Sequence, residues 1–73
     1  MTEKRAKEII TKMGFNYVEF GKMIGKHGGY VNNWSRYGVP GTMAVALRAL
    51  DKLSDYLPRE QLINLIKGKT YAS

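Results

Sequence analysis

The stretch NYVEFGKMIGKHGGYVNNW, residues 16–34, decides the fold of this chain. Its spacing predicts two short amphipathic helices joined by a three-residue turn that contains glycine. Asn16 can cap the first helix, with Glu19 three residues later as its capping-box partner. Gly25 stands where that helix should end, because a residue in the left-handed conformation is least strained as glycine.

The apolar residues of this stretch fall where two crossed helices would share one core. These residues are Phe20, Ile24, Val31 and Trp34. Gly21 is small enough to let the two helices approach closely. The arrangement has the spacing of a helix-turn-helix, which places its second helix in the major groove of DNA. Residues 16–36 therefore predict contact with double-stranded DNA.

Length and composition limit the classes of protein to which the chain can belong. Its 73 residues predict one domain, residues 1–73, and a domain of this size buries only about 60% of its unfolded surface. Cysteine is absent and histidine occurs once, so we expect no disulfide, metal site or cofactor. No run approaches the roughly 18 apolar residues of a membrane span, and the basic start lacks an apolar signal region. We expect a cytoplasmic protein without a membrane or small-molecule partner.

The placement of charge favours a polyanionic partner. The net charge is +6, from 12 Lys and Arg against 6 Asp and Glu. No acidic residue lies between Glu19 and Asp51, a stretch that holds the cations Lys22, Lys26, Arg36 and Arg48. Phosphate contacts supply most of the non-specific affinity of proteins for nucleic acids.

Apolar periodicity predicts an all-α domain of five helices with short connections. Residues 2–13 repeat apolar side chains at helical spacing, and Gly14 should end that helix. The central stretch supplies two helices, residues 16–24 and 28–36, and residues 42–53 form an Ala- and Leu-rich fourth. The last helix should begin at Pro58, whose missing N–H is harmless there, and end near Gly68. We expect residues 69–73 to be loose.

From about residue 7 to residue 53 the chain resembles the Cro/XRE class of phage and bacterial repressors. The class has a polar cap, an apolar–small pair and an apolar–glycine pair in the first helix of its motif, and buried apolar residues in the second. Those places are taken here by Asn16, Phe20-Gly21, Ile24-Gly25, Val31 and Trp34. Four residues depart from the class. Tyr17 replaces a usual Gln, Lys26 replaces a usual aliphatic residue, and Gly28 and Gly29 stand at the start of the recognition helix, where long polar side chains often read bases.

The resemblance implies a compact, five-helix, lambda-repressor-like domain with a helix-turn-helix. It further implies a transcriptional repressor that binds a palindromic operator in double-stranded DNA as a homodimer, because two-fold protein symmetry matches two half-sites. Small regulators of phages and mobile elements often act on their own operon, including those encoded beside anti-CRISPR genes.

Candidate base-reading residues lie on or just before the third helix. Asn can bond adenine N6 and N7. Tyr30 can touch a thymine methyl group or a phosphate, or pack as an aromatic residue beside the motif. His27 can contact a phosphate or a base, or lie in solvent at the cap position. The glycines can let the backbone approach DNA, although a flexible first turn is an equal alternative. The candidates are Asn33, Asn32, Tyr30, His27, Gly29 and Gly28.

Other residues are candidates for phosphate contacts or for self-association. Phosphate contacts fix the register on DNA without reading its sequence, and the candidates are Arg36, Lys26, Tyr17, Asn16, Lys22 and Thr42. The last helix has more apolar residues than a four-helix core needs. They can pack on the first helix or form a dimer interface, and they are Leu57, Leu62, Ile63 and Ile66.

Two other functions stay open, whereas an enzyme is not expected. Residues 24–31, IGKHGGYV, fit the KH signature I-G-x-x-G-x-x-I of single-stranded RNA binding. A KH domain needs a three-stranded sheet, but the stretches on both sides are predicted to be helical. The apolar last helix would also suit an antitoxin-type protein-interaction module. The sequence has no recognisable carboxylate pair, nucleophile–base pair or phosphate-binding loop, so it does not suggest catalysis.

Overall fold

Two helices that end in the same way begin the fold. The computed structural model describes residues 1–68, and the predicted loose tail, residues 69–73, lies outside them. Helix α1 spans Glu3–Lys12 and helix α2 spans Tyr17–Met23. The hydroxyl of Thr2 caps α1 by accepting from the Arg5 N–H at 3.2 Å.

Glycines in the left-handed region end both helices. Gly14 has a φ of 88° and Gly25 a φ of 81°. Beyond each glycine, a backbone N–H reaches five residues back: Phe15 to the Ile10 carbonyl at 3.2 Å, and Lys26 to the Gly21 carbonyl at 2.9 Å. This is the Schellman motif, which satisfies carbonyls that the helix leaves unpaired. The predicted stops at Gly14 and Gly25 are confirmed.

The third helix is much shorter than predicted. Residues 28–33 form consecutive turns, and helix α3 covers only Trp34–Tyr37. Several backbone bonds here span three residues, including Tyr30 to His27 and Trp34 to Val31, both at 3.1 Å. Two adjacent glycines disfavour a regular helix by about 1 kcal/mol each relative to alanine. The prediction of a helix over residues 28–36 is therefore wrong in its first two-thirds.

The remaining helices agree with the predicted pattern to within a residue or so. Helix α4 spans Gly41–Leu53 and helix α5 spans Arg59–Lys67, directly after Pro58. Residues 1–68 contain five helices and no strand, so the prediction of an all-α chain is confirmed for this part. No helix among these residues has the length and apolarity needed to cross a bilayer.

The core joins the first two helices to the turns that follow them. Its fully buried side chains include Phe20 of α2, Leu47 of α4 and Val31 of the turns that follow α2. Trp34 is only 3% exposed. Ile24, predicted to be in this core, is half-buried against it. Every fully buried hydrophobic residue adds about 1.5–3 kcal/mol to the driving force for folding, and these contacts fix the position of residues 28–34.

At Gly21, helix α2 makes its closest approach to the following loop. A Cβ atom added to this buried glycine would lie 2.9 Å from the His27 carbonyl oxygen and 3.7 Å from Tyr30 Cβ. Real Cβ atoms essentially never come within 3.0 Å of another heavy atom. Only glycine therefore permits this packing of α2 on the loop. The sequence predicted a close approach of two helices at Gly21, whereas the structure has the loop before α3 in that place.

Ion pairs join α1 to α4. Asp51 accepts from Lys12 at 2.8 Å and from Arg5 at 3.0 Å, and Lys12 also pairs with Asp55 at 3.1 Å. The hydrogen bond from Lys12 lowers the pKa of Asp51 from its ordinary 3.8. The same bond raises the pKa of Lys12 from its ordinary 10.5. Both shifts favour the charged pair.

Gly21→Ala should destabilise the fold by about 1–3 kcal/mol, because the new methyl group overlaps a backbone oxygen. Urea unfolding measures this loss. Gly41→Ala is the matched control, since nothing lies within 4 Å of a Cβ at this helical glycine. That variant should be neutral or more stable by up to about 1 kcal/mol. Equal stability of the Gly21→Ala variant and the native chain would contradict the close packing.

The Asp51 pairs should make stability fall in acid. A carboxylate with a lowered folded-state pKa stabilises the fold above its unfolded-state pKa, and this contribution disappears as the pH falls through the folded-state value. The raised pKa of Lys12 implies a second loss only above its ordinary 10.5. Asp51→Asn should reduce the difference in unfolding free energy between pH 7 and pH 3. Asp55→Asn should reduce it less, because Asp55 pairs with Lys12 alone.

Candidate nucleic-acid interface

The side chains of Asn16 and Glu19 accept hydrogen bonds at the start of α2. Asn16 Oδ1 accepts from the Glu19 N–H at 2.7 Å, so the predicted cap is present. The reciprocal half of the capping box is replaced, because the Glu19 carboxylate accepts from Arg59 Nη2 at 3.2 Å. Tyr17 is half-buried, and Lys7 Nζ lies 5.3 Å from its ring centroid.

Arg59 is a residue that the sequence analysis missed. It reaches from α5 to the connection between α1 and α2, where its Nε donates to the Gly14 carbonyl at 3.2 Å. Its guanidinium also lies 4.9 Å over the Phe15 ring. A basic residue just after Pro58 suggests only an exposed first turn, so nothing local in the sequence indicates these contacts. Arg59 of α5 thus contacts both α2 and the connection that precedes it, while its side chain stays half exposed.

The loop after α2 is ordered by its only imidazole. His27 Nδ1 accepts from the Gly29 N–H at 3.1 Å. Gly28 is packed on α2, since a Cβ there would lie 3.1 Å from Val18 Cγ1. The two glycines therefore have a structural role in this loop, and the predicted base-reading candidates His27, Gly28 and Gly29 lie together.

A line of aromatic rings connects this loop to the core. The His27 and Tyr30 rings meet edge to face at 6.4 Å, and the Tyr30 and Trp34 rings do so at 5.6 Å. Lys26 Nζ lies 5.6 Å from the Tyr30 centroid. Such edge-to-face and cation–π arrangements are favourable. Tyr30 is thus a packing residue whose ring links the exposed loop to buried Trp34.

Exposed amides and a cation lie around the two buried anchors of this segment. Val31 and Trp34 are buried, whereas Asn32 and Asn33 between them are exposed. The Asn33 side chain makes no capping hydrogen bond at the start of α3. Arg36, one turn further on, is exposed as well. The structure therefore brings Asn32, Asn33 and Arg36 to one short surface segment, but mostly on turns rather than on a helix.

The other predicted phosphate contacts are placed near this segment in the chain. Lys22 is exposed on α2, and its Cε would lie 3.8 Å from a Cβ at Gly28. Thr42 is exposed in the first turn of α4. Asn16 is exposed, although its Oδ1 is occupied by the cap.

The ion pairs are distributed unevenly over the surface. In residues 1–68 every pair uses Arg5, Lys7, Lys12 or Arg59 as its cation. Within the same residues, no acidic group pairs with Lys22, Lys26 or Arg36, the cations of the central segment, residues 22–36. Arg48 of α4 makes no ion pair with these residues either, but it lines a depression with Arg5 and Asp51 at the contact of α1 with α4. Ion pairs thus neutralise part of the positive charge beside α1, and among the described residues none neutralises the cations of the central segment. Such a surface attracts polyanions.

The apolar residues of the last helix contribute to the core of a single chain. Leu62 is only 2% exposed, and Leu57, Ile63 and Ile66 are half-buried against the core. The assignment of Leu62 to a dimer interface is therefore wrong, because its side chain is already covered. Leu65, which was not a candidate, is 40% exposed. It borders an apolar groove of about 340 Å³ between α2, α4 and α5.

Among residues 1–68 no group of three or more His, Cys, Asp or Glu side chains could hold a metal ion. An open surface depression beside α1 is lined by charged residues of that helix together with Tyr17. Exposed amides, backbone N–H groups and cations are thus the groups that the central segment offers. These groups bind by hydrogen bonds and charge.

Tyr30→Ala should lower the unfolding free energy by about 1–3 kcal/mol, because it removes the ring contact with Trp34. Tyr30→Phe keeps the ring and should stay within about 0.5 kcal/mol of the native chain. Urea unfolding followed by the emission of Trp34, the single tryptophan, measures both. If both variants lose the same stability, the hydroxyl and not the ring stack would be the important group.

Comparison with protein families, with curated proteins and with solved structures gave no match. The function must therefore be argued from the chain's own residues and their geometry.

Proposed function

We propose that this protein is a sequence-specific DNA-binding repressor that occupies a palindromic operator as a homodimer. The observation that carries the proposal is the uncompensated positive charge around exposed Asn32 and Asn33. Proteins bind duplex DNA through cation–phosphate contacts and read it through hydrogen bonds to base edges. The central segment supplies both kinds of group and anchors them on a buried core.

The anchoring determines which side chains face the DNA. Burial of Val31 and Trp34 turns the two asparagines between them outward. In the proposed complex Asn33 is the main base reader, with Asn32 beside it, and each well-formed bidentate contact to adenine adds about 1–3 kcal/mol of discrimination. Tyr30 keeps mainly its packing role, while its hydroxyl can contact a phosphate or a base edge.

Cations on both sides of the asparagines supply the phosphate contacts. Lys22 and Lys26 lie before them and Arg36 lies after them, and all three are exposed. Asn16, Tyr17 and Thr42 add neutral donors at the starts of α2 and α4. Each neutralised phosphate steepens the salt dependence of binding by about one counterion. The arrangement thus supports strong, salt-sensitive affinity for duplex DNA.

In the proposed complex, dimerisation supplies a second copy of the base-reading segment. One short segment contacts only a few base pairs, whereas two copies related by two-fold symmetry read two half-sites about one helical turn apart. We place the contact between copies on Ile63 and Ile66 of α5 and on Leu57 just before that helix, all of which are partly exposed. An operator occupied in this way denies RNA polymerase access to the promoter, and the regulated promoter is proposed to be that of the protein's own operon.

The structure gives less support to the other functions. Residues 1–68 contain no strand, so the sheet on which a KH domain places single-stranded RNA is missing from them. The apolar groove bordered by Leu53 and Leu65 favours a protein-interaction module as the second candidate. The proposed action is binding alone, without a catalytic step.

Asn33→Ala should weaken binding to a duplex selected from a random pool by about 1–3 kcal/mol and leave binding to unrelated DNA nearly unchanged. Arg36→Ala is the matched control. It should weaken binding to both duplexes similarly and reduce the salt slope by about one. Titrations at several salt concentrations measure both effects. Equal losses on both duplexes for the Asn33→Ala variant would show that Asn33 does not read bases.

A further inference from the structure

A hydrogen bond from the backbone determines which nitrogen of the neutral His27 ring carries the proton. Its Nδ1 accepts from the Gly29 N–H at 3.1 Å. A nitrogen that accepts a hydrogen bond carries no proton, so the neutral ring holds its proton on Nε2. His27 thus satisfies a backbone N–H at the start of the turns that carry Tyr30 and the two asparagines, as an N-cap residue does for a helix.

We propose that neutral His27 is a specificity-determining positioning residue, whose cap on Gly29 holds the base-reading segment in its binding shape and is lost when the ring is protonated. This inference rests on the proposed DNA-binding function. Histidine changes its charge between pH 5 and pH 8 more readily than any other side chain. When a proton occupies Nδ1, this nitrogen becomes a donor and can no longer accept from Gly29.

The groups around His27 determine how protonation of its ring changes DNA binding. Lys26 adjoins it in the chain, Lys22 of α2 lies against Gly28, and the Tyr30 ring meets the imidazole edge to face. A protonated ring therefore adds a further positive charge to a cationic surface. That charge favours phosphate binding on any sequence, whereas loss of the cap disorders the residues that distinguish sequences. Acid should then weaken discrimination rather than affinity in general.

The same contacts explain why the cap reaches the asparagines. The His27 carbonyl lies against Gly21, so the backbone of His27 is fixed to α2. The Gly29 carbonyl accepts from the Asn33 N–H at 3.0 Å. The path from the imidazole to Asn33 is therefore two hydrogen bonds through one glycine. The Gly29 carbonyl shares its peptide unit with the Tyr30 N–H, which donates to the His27 carbonyl at 3.1 Å. Loss of the imidazole bond therefore leaves Gly29 held from one side only, by the peptide unit that follows it.

The test compares the dissociation constants for a selected duplex and an unrelated duplex at pH 8 and pH 5.5, at constant ionic strength. In the native chain, the dissociation constant for the unrelated duplex divided by that for the selected duplex should fall by about twofold to thirtyfold on acidification. This fold-change corresponds to the range of about 0.5–2 kcal/mol for losing a cap. His27→Asn keeps a capping oxygen that does not titrate, so its ratio should match the native value at pH 8 and change little with pH. His27→Ala should show the reduced ratio at both pH values.

Two results would overturn the inference: a His27→Asn variant as pH-dependent as the native chain, or a His27→Ala variant with the native ratio at pH 8. The chain has a single histidine, so nitrogen NMR of the free protein gives an independent readout. Nδ1 should be unprotonated at pH 8, and the Gly29 amide should exchange faster once the ring is protonated. A ring protonated on Nδ1 at pH 8 would refute the cap even if DNA binding is sequence-specific. If no duplex is selected at all, the proposed function fails, and the NMR result still decides whether the cap exists.

Discussion

The close approach of α2 to the His27 carbonyl at Gly21 is the constraint on which the rest of the structure depends. It places the loop after α2 against that helix. Gly28 packs on Val18, and the Schellman motif at Gly25 reverses the chain. From this position Val31 and Trp34 reach the core beside Phe20. The residues between and after these anchors are left on the surface, so the packing of one glycine determines which side chains can meet a partner.

The second organising feature is the separation of paired from unpaired charge. Acidic groups join α1 to α4 through Asp51 and hold α5 to α2 through Glu19 and Arg59. These contacts stabilise a small domain that has neither disulfides nor, among its described residues, a group able to hold a metal. Ion pairs engage four of the six acidic side chains, Glu3, Glu19, Asp51 and Asp55, and in residues 1–68 none of them involves a cation of the central segment. The same distribution of charge thus serves stability at one face and the proposed binding at another.

Much of the fold could be predicted because it depends on local chemistry. The cap at Asn16, the left-handed glycines and the apolar periodicity of α1, α4 and α5 are all determined within a few residues, and the structure has them as predicted. The third helix could not be predicted in the same way, since the low helix propensity of Gly28 and Gly29 outweighed the apolar spacing of Val31 and Trp34. Arg59 and the burial of Leu62 depend on contacts across 40 or more residues, for example Arg59 with Glu19, which no local pattern contains. For the candidate site, the sequence indicated which residues could bind DNA, with aromatic packing as the alternative for Tyr30 and a cap position as the alternative for His27. It did not indicate their partners, Trp34 and Gly29.

Selection of binding sites from randomised double-stranded DNA, at about 0.15 M salt where non-specific binding is weak, tests the central claim most directly. The account predicts enrichment of a two-fold symmetric consensus whose half-sites lie about one helical turn apart. Enrichment of no duplex sequence would contradict it, and would show that the exposed asparagines and cations of the central segment do not read DNA.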